Sequence, residues 1–273
     1  MKDIDKITKE LEQGVREVFT SERYLEYLDF CSKFYDYSAN NIILIMIQKP
    51  DASFVAGYKA WQTKFKRQVK KGEKAITILA PSPRKITKIV KKEDGTEEER
   101  EIKFMTFRPI PVFDISQTEG EDVPSDYIKK LDGTVEDFAD LCQKLRKVSP
   151  VDIVFEDIDG GANGYYQQIE KKIVIKKDMS EEQTIKTMIH EIAHARIHDL
   201  QNGEEKDADR RTKEVQAESV AYTVCKMIGI KSDDYSFGYI ASWSKDREVK
   251  ELSSSIEIIR KTAHDICEEL RSA

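Results

Sequence analysis

Residues 190–194 read His-Glu-Ile-Ala-His, a spacing that constrains this segment to a helix if both histidines serve one site. Residues four apart in a helix are neighbours on one face, so His190 and His194 can point at the same ion while Glu191 lies beside them. Glu214 follows twenty residues later in a second helical stretch. Two histidines, one carboxylate and a water make the open ligand set of a catalytic zinc site. The sequence therefore predicts a zinc hydrolase, with Glu191 as the base that acts on water.

The residues around this motif predict two successive helices. One stripe of the first helix is formed by Ile185, Ile189, Ile192, Arg196 and Leu200. Ser180 is its expected N-cap, and Asn202-Gly203 is its expected end. The second helix is predicted from Val215, Ala217, Val220, Ala221, Val224 and Met227 and should end near Gly229. Glu214 is expected in the first turn of this second helix.

Two further side chains near the motif have open roles. Glu218 lies one turn after Glu214, so it either orients a ligand histidine or replaces Glu214 as the third ligand. His198 is rotated about 80° from His190, and no glycine turns the chain as three-histidine zinc proteases require. We therefore expect His198 to be exposed or to support a ligand. A chance pair of histidines on a helix is the alternative, although three of the four histidines lie here.

The segment before the motif suggests where a peptide could bind. Residues 172–175 are expected to form a strand, which would receive substrate as an added strand if it lies at the edge of a sheet. The glycines at 160–164 are not a phosphate loop, because no Gly-Lys-Ser/Thr follows them. Tyr165 or Tyr166 would either support the oxyanion or simply pack on a hairpin.

Composition excludes several classes of protein. At 273 residues, with 35% charged and 39% hydrophobic residues, the chain suits one large or two medium globular domains. Its longest apolar run, residues 42–47, is far too short to cross a membrane, and the first residues lack a signal-peptide core. The four cysteines form no CxxC pair, so reduced thiols are expected. These features predict a cytoplasmic protein without a membrane partner.

Charge is strongly segregated along the chain. Residues 59–92 contain twelve lysines or arginines and one acid, a local charge of +11, so the remainder carries −17 against a net −6. A basic patch on an acidic protein indicates a polyanionic partner, most often nucleic acid. For the lysines of residues 85–92, pairing with the acidic residues 97–99 across a hairpin is the better explanation.

One part of this basic region combines cations with an aromatic ring. Its members are Trp61, Lys64, Lys66, Arg67, Lys70, Lys71 and Lys74. Backbone-tracking cations beside a stacking ring are typical of binding to single-stranded DNA with little sequence preference. The same tryptophan is nearly as well explained as a core residue of its helix, and this alternative stays open.

The remaining patterns predict an α+β fold. Helices are expected at residues 4–19, 22–35, 53–65 and, after the N-cap Ser38, at 39–48. Strands are expected at 75–80 and 112–115, with a hairpin of 86–90 and 102–107 around the turn Asp94-Gly95. Residues 116–125 are predicted as a linker, followed by a helix at 135–148 and a strand at 151–155. The chain should end in helices with Trp243, Ile256, Ile259 and Ile266 in the core.

Both halves of the chain resemble ArdC-type antirestriction proteins. The N-terminal half resembles their single-stranded-DNA-binding domain at Trp61 and at residues 37–41, 48–50, 55–58, 69–74, 78–81 and 113–120. The C-terminal half resembles their zincin-type metallopeptidase domain, which is related to the ImmA and IrrE regulatory proteases, at residues 164–166, 190–194 and 214–218. The resemblance implies two domains, a single-stranded-DNA-binding domain at 1–120 and a zincin-like metallopeptidase domain at 126–273.

The resemblance also implies a function in the transfer of mobile DNA. ArdC-type proteins belong to plasmids, integrative elements or phages, bind single-stranded DNA and are associated with protection of incoming DNA from restriction. A metal site does not by itself establish peptidase activity, and the protein or peptide substrate is not identified by the motif. Three hypotheses therefore stay open: a DNA-binding metallopeptidase, a DNA-binding shield with a silent metal site, and a regulatory protease whose basic face recruits an acidic protein.

Overall fold

The computed structural model describes residues 4–91, 97–123, 138–201, 203–230 and 237–273. Three helices come first: α1 (Ile4–Val18), α2 (Ser21–Phe34) and α3 (Ala39–Gln48). Ser38 begins α3 as predicted, because its hydroxyl accepts the backbone N–H of Asn41. These helices confirm the predicted bounds to within one residue, as expected for segments with clear caps and apolar periodicity.

The next segment differs from its prediction. Instead of one helix over residues 53–65, the chain forms the short strand β1 (Val55–Gly57) and then the helix α4 (Tyr58–Thr63). Val55 is buried and pairs in register with Asp114 of a distant strand. Pairing with a strand far along the chain therefore outweighs the local helical pattern.

A long antiparallel hairpin dominates the N-terminal half. The strand β2 (Arg67–Val69) comes first. The strands β3 (Ile76–Lys91) and β4 (Glu97–Asp114) then pair from Ile76 opposite Val112 to Lys91 opposite Glu97, in a sheet of order β1-β4-β3. The separate strands predicted here are thus parts of two long ones, which pass through prolines at positions 81, 83, 109 and 111. The predicted turn Asp94-Gly95 lies outside the described residues. We call residues 81–87 and 101–108 the arm.

The predicted linker is partly ordered. A 3-10 turn (Ile115–Gln117) leads into β5 (Thr118–Gly120), which pairs antiparallel with β2. The start of the linker therefore belongs to the N-terminal unit, where Asp114 and Gln117 cap the turn reciprocally. Residues 124–137 lie outside the described part of the chain, so the boundary between 120 and 126 stays a prediction.

The C-terminal half is a small sheet covered by helices. Its elements are α5 (Phe138–Val148), β6 (Asp152–Glu156), β7 (Gly164–Gln167), β8 (Lys172–Lys176), α6 (Glu181–Ile197), α7 (Arg210–Met227), α8 (Ile240–Ser244) and α9 (Val249–Ser272). The sheet order is β6-β8-β7, with β6 parallel and β7 antiparallel to β8. The prediction that β8 is an edge strand is therefore wrong, since both of its sides are paired.

The end of α6 also differs from its prediction. The helix stops at Ile197, five residues before the predicted Asn202-Gly203, and Leu200 beyond it is exposed. Asn202 lies outside the described residues. Gly203 donates its N–H to the carbonyl of Asp199, and a Cβ at this position would lie 2.4 Å from the Ile197 carbonyl oxygen. Gly203 therefore does not end the helix. It lets the chain after the helix pass close to the backbone of the helix end.

Helices from both halves share one hydrophobic core. Tyr24 of α2 and Ser219 of α7 are joined by a 2.8 Å hydrogen bond, and the Ala39 N–H donates to Glu257 of α9. Buried side chains run continuously from α1–α3 into α6, α7 and α9. The predicted core residues Trp243, Ile256, Ile259 and Ile266 are buried, and all four cysteines are free thiols. The architecture is α+β, as predicted, and none of the described helices is long and apolar enough to span a membrane.

Candidate functional site

The candidate metal centre lies between α6 and α7. Ser180 caps α6 as predicted, with its hydroxyl accepting the Gln183 N–H. Asp209 caps α7 by accepting the Thr212 N–H, so this helix begins at Arg210 and Glu214 lies beyond its first turn, contrary to the prediction. Both helices therefore hold their site residues within regular, well-capped structure.

Three predicted donor atoms converge at this place. The Nε2 atoms of His190 and His194 are 3.0 Å apart, and Oε2 of Glu214 lies 3.6 Å from the first and 3.8 Å from the second. Within the described ranges, this is the one group of histidine, cysteine or acidic side chains arranged to hold a metal ion. Glu214 is about half exposed, at 49%, so the group opens to solvent on its side.

The charges of the three groups are interdependent. The neighbouring imidazoles of His190 and His194 hold the pKa of Glu214 well below its usual range, although burial opposes this. Burial lowers the pKa of His190, but the carboxylates of Glu214 and Glu191 outweigh it and raise the pKa above its ordinary value. The cluster thus favours an anionic carboxylate facing two imidazoles, the electrostatic complement of a cation.

Glu191 lies beside the donor group and is almost completely buried. Burial raises the pKa of its carboxyl, while the adjacent His190 and His194 oppose the increase. The backbone of Tyr166 on β7 hydrogen-bonds the same carboxylate. A raised pKa brings a carboxylate closer to neutral pH, where a general base is most effective.

His198 occupies a supporting position behind the donor group. It is 1% exposed, so the alternative that it faces solvent is wrong. Its Nδ1 lies 3.0 Å from Nδ1 of His194, and its Nε2 lies 2.8 Å from Oε1 of Gln216. Gln216 in turn donates to Ser255 of α9 over 3.1 Å. Burial lowers the pKa of His198 to about 4, so the ring is neutral near pH 7.

Glu218 is separate from the donor group. The Tyr239 hydroxyl donates to its carboxylate, and burial together with this hydrogen bond raises the pKa of the tyrosine well above its usual range. Tyr239 was not identified from the sequence, because it follows Glu218 by 21 residues and belongs to no motif. The geometry thus places Glu214 with the histidines and gives Glu218 a different partner.

A glycine allows β7 to approach the motif helix. A Cβ on Gly164 would lie 2.7 Å from a methyl carbon of Thr187 on α6, closer than real contacts permit. β7 is an edge of its sheet among the described strands and runs beside α6. Tyr166 of β7 donates its hydroxyl to Asp199, whereas Tyr165 is exposed. Of the two edge strands of this sheet among the described residues, β6 and β7, it is β7 that contacts the motif helix.

Trp61 is a core residue of the N-terminal half. It is fully buried, its Nε1 donates to the Phe113 carbonyl over 2.9 Å, and its ring packs against Phe54 and Phe65. The ring has no free face on which a base could stack. The alternative noted from the sequence, a core tryptophan, therefore replaces the stacking role.

Arg67 also has a structural position. Its guanidinium donates to the Thr118 hydroxyl and carbonyl at 2.8 and 3.1 Å and to the carbonyls of Gly120 and Glu121. These bonds fasten β2 to β5, so Arg67 has a structural role, and its binding to phosphate stays a prediction. Because its donors are satisfied within the protein, a phosphate would have to displace them.

The lysines of the predicted cluster remain on the surface. Lys64, Lys66, Lys70, Lys71 and Lys74 are all exposed. Lys66 forms a loose ion pair with Glu121 at 3.7 Å, and Lys70 donates to the Ser116 carbonyl. We call residues 70–75, between β2 and β3, the basic loop. Its lysines can reach an external anion without disrupting a buried contact.

Two family models match the chain. Residues 2–113 match the N-terminal domain of anti-restriction factor ArdC, and residues 108–222 match a model described as "Putative metallopeptidase family". An uncharacterised protein of Bacillus anthracis, pXO2-81, is 27% identical over 277 residues, covering 89% of this chain and 46% of that protein. The chain therefore spans about half the length of this curated relative.

Two solved structures share the fold. The metal-free crystal structure of the antirestriction ArdC protein from the R388 plasmid has a TM-score of 0.55 and 19% identity, covering 86% of each chain. The Mn(II)-bound structure of the same protein has a TM-score of 0.51 and 18% identity, covering 86% of this chain and 84% of that chain. At this level of identity the similarity establishes a common fold.

Proposed function

Because the chain is an ArdC-type two-domain protein, we propose that it binds single-stranded DNA and carries a divalent metal site of the metallopeptidase type. The metal ligands would be His190, His194 and Glu214, with Glu191 as the catalytic base. In this proposal the protein protects the incoming DNA of a mobile genetic element from restriction. The observation that carries the metal site is the convergence of the three donor atoms on one point.

The spacing of these donors fits a tetrahedral ion. Zinc–nitrogen and zinc–oxygen bonds of about 2.0–2.2 Å at tetrahedral angles place the donors roughly 3.3 Å apart. The distances between the donors of His190, His194 and Glu214 are 3.0, 3.6 and 3.8 Å, on either side of that value. Mixed nitrogen and oxygen donors bind Zn²⁺ more strongly than Mn²⁺, so zinc is the proposed ion even though R388 ArdC has a Mn(II)-bound structure.

The surrounding residues support hydrolysis of a peptide bond. A bound ion would supply a Lewis acid that polarises a carbonyl and acidifies water. Glu191 would accept a proton from the attacking water and pass it to the leaving amine, a role favoured by its raised pKa. The edge strand β7 would align an extended peptide beside α6. The proposed substrate is therefore a peptide in an extended conformation, and its sequence is not specified.

The metal site is tested by elemental analysis of the purified protein. We expect about one equivalent of zinc, and full metal content in a folded His194→Ala variant would overturn the assignment. Glu191→Gln separates the catalytic hypothesis from a silent metal site. This variant should keep the metal and lose hydrolysis of a casein or peptide-library substrate. If it loses the metal together with the hydrolysis, Glu191 is needed to build the site.

The DNA-binding part of the proposal rests on the exposed cations of the N-terminal half. Lys64, Lys66, Lys70, Lys71 and Lys74 can each neutralise a phosphate and release counterions, so affinity should fall steeply with salt. A gel-shift titration with mixed-sequence single-stranded and duplex oligonucleotides tests this. Absence of binding to either at low salt would favour the alternative, a regulatory protease of the ImmA and IrrE type whose basic surface recruits an acidic protein.

A further inference from the structure

The arm exposes apolar side chains on a two-stranded ribbon. Ten large hydrophobic side chains are exposed among the described residues, and five of them lie on the arm: Ile86, Ile102, Phe104, Met105 and Phe107. Phe104 is 40% exposed and Phe107 53%. A two-stranded ribbon has no second layer to cover such groups and is marginally stable alone in water. Clustered exposed apolar groups of this kind mark a contact surface.

The two faces of the arm differ in their charges. Side chains alternate along a strand, and paired residues share a face. Arg84 pairs with Phe104, Ile86 with Ile102, and Ala80 with Arg108, so these residues share one face, which we call the arginine face. The opposite face holds Lys85, Lys103, Glu101, Met105 and Phe107. In the described part of the arm, the arginine face carries two cations, Arg84 and Arg108, and no acidic residue. On the opposite face, Lys85 forms an ion pair with Glu101 at 2.8 Å.

The arginine face continues the side of the sheet that is buried at its base. Ile76 and Ile78 of β3, with Val112 of β4, belong to the same alternation and are buried. There, the side chains of Gln48 and Asn41 on α3 hydrogen-bond the backbone of β3 at Thr77 and Leu79. Beyond residue 80 the described helices no longer cover this side. Its apolar residues therefore become available to an external ligand just where the arginines appear.

We propose that the arginine face is a binding surface for single-stranded DNA, in which Phe104 stacks on a base and Arg84 and Arg108 bind flanking phosphates. Aromatic faces accept every base, and guanidinium groups bind phosphate in two-pronged fashion. Arg84 lies directly across from Phe104, so one nucleotide can meet the ring and the cation together. An apolar protein partner would bury Ile86, Ile102 and Phe104 equally well, but it would leave two arginines without an anion.

This inference rests on the proposed single-stranded DNA binding and names its stacking surface. It is tested with the full-length protein and a fluorescent oligonucleotide of about 20 nucleotides, longer than the roughly 4–16 nucleotides that one binding module covers. Phe104→Ala should lower affinity by about 5- to 150-fold without changing the salt slope. Arg84→Gln with Arg108→Gln should remove two phosphate contacts and so reduce the salt slope on single-stranded DNA by about 1.4.

Phe107→Ala is the matched control, because it removes the same ring from the opposite face of the same arm. We expect it to bind like the parent protein. An equal or larger loss in Phe107→Ala than in Phe104→Ala would overturn the assignment of the face, and unchanged affinity in both would overturn the arm as the stacking surface. Thermal melting of each variant should be unchanged, since the replaced side chains are exposed. If the parent protein itself fails to bind, the proposed function fails instead.

Discussion

The Nδ1 atoms of His194 and His198 lie 3.0 Å apart, so one imidazole must donate to the other. If Nε2 of His194 is a metal ligand, its Nδ1 carries the proton and donates to Nδ1 of His198. His198 then carries its own proton on Nε2 and donates to Gln216, whose amide nitrogen donates to Ser255. Each donor has one acceptor in this chain, and the low pKa of His198 keeps it neutral. The network thus fixes both the tautomer and the orientation of His194.

We predict that His198→Ala lowers metal affinity by about 10- to 100-fold, the usual effect of losing a residue that orients a ligand. Competition with a chelating dye measures the affinity directly, without an activity assay. His264→Ala is the control, because that histidine lies on α9, 3.9 Å from Asp36, apart from the donor group. Unchanged metal affinity in a folded His198→Ala variant would mean that the hydrogen-bond network of His198, Gln216 and Ser255 does not orient His194 for metal binding.

A second prediction separates the two glutamates of α7. Glu214→Ala should lose most of its bound metal, since its Oε2 faces both histidine nitrogens at 3.6 and 3.8 Å. Glu218→Ala should keep the metal, because its carboxylate is engaged by Tyr239. Metal content per folded protein, measured for both variants in parallel, decides between them. The reverse result would make Glu218 the third ligand, the alternative left open by the sequence.

Local signals predicted the motif helices well. Ser180 and the apolar spacing up to Ile197 involve neighbours within a few turns, so the start of α6 and the approach of His190 to His194 follow from sequence alone. The end of α6 did not follow; the residue after it, His198, is buried, and its Nε2 lies 2.8 Å from Oε1 of Gln216, 18 residues along the chain. Short-range patterns cannot encode that partner.

Long-range pairing explains the other differences. The local sequence of residues 172–176 does not show whether they form a central or an edge strand. Their position in the sheet depends on pairing with β6, which lies earlier in the chain. The burial of Trp61 likewise depends on Phe113, 52 residues away. The basic composition of residues 59–92 predicts a polyanionic partner, but it could not separate Arg67, held by β5, from the exposed lysines.

Replacement of Trp61 tests its assignment to the core. Trp61→Ala should cost about 3–5 kcal/mol of unfolding free energy, because a fully buried ring and its contacts with Phe54 and Phe65 are lost. Trp61→Phe should cost less but leave the Phe113 carbonyl without its donor, at about 1–3 kcal/mol. Denaturant unfolding measures both. A Trp61→Ala variant with parental stability but weakened DNA binding would restore the stacking role.

The N-cap of α7 gives a prediction with a defined pH range. Burial raises the pKa of Asp209, but hydrogen bonds from Thr212 and the ion pair with Arg247 outweigh it and lower the pKa to about 2, from an ordinary 3.8. A carboxylate with a lowered pKa stabilises the fold fully above its unfolded value, and this contribution is lost as the pH falls from about 4 to about 2. Asp209→Ala should cost about 1 kcal/mol near neutral pH, the usual value of an N-cap.

Asp209→Asn provides the control for charge, because asparagine caps a helix about as well as aspartate but cannot titrate. The difference in melting temperature between the parent protein and Asp209→Asn should be largest above pH 4 and should shrink at pH 3. Since both proteins share every other acid, this difference isolates residue 209 from general acid denaturation. A difference that stays constant from pH 6 to pH 3 would show that the carboxylate of Asp209 does not stabilise α7 through its charge, and that Arg247 contributes little to holding the helix that carries Glu214.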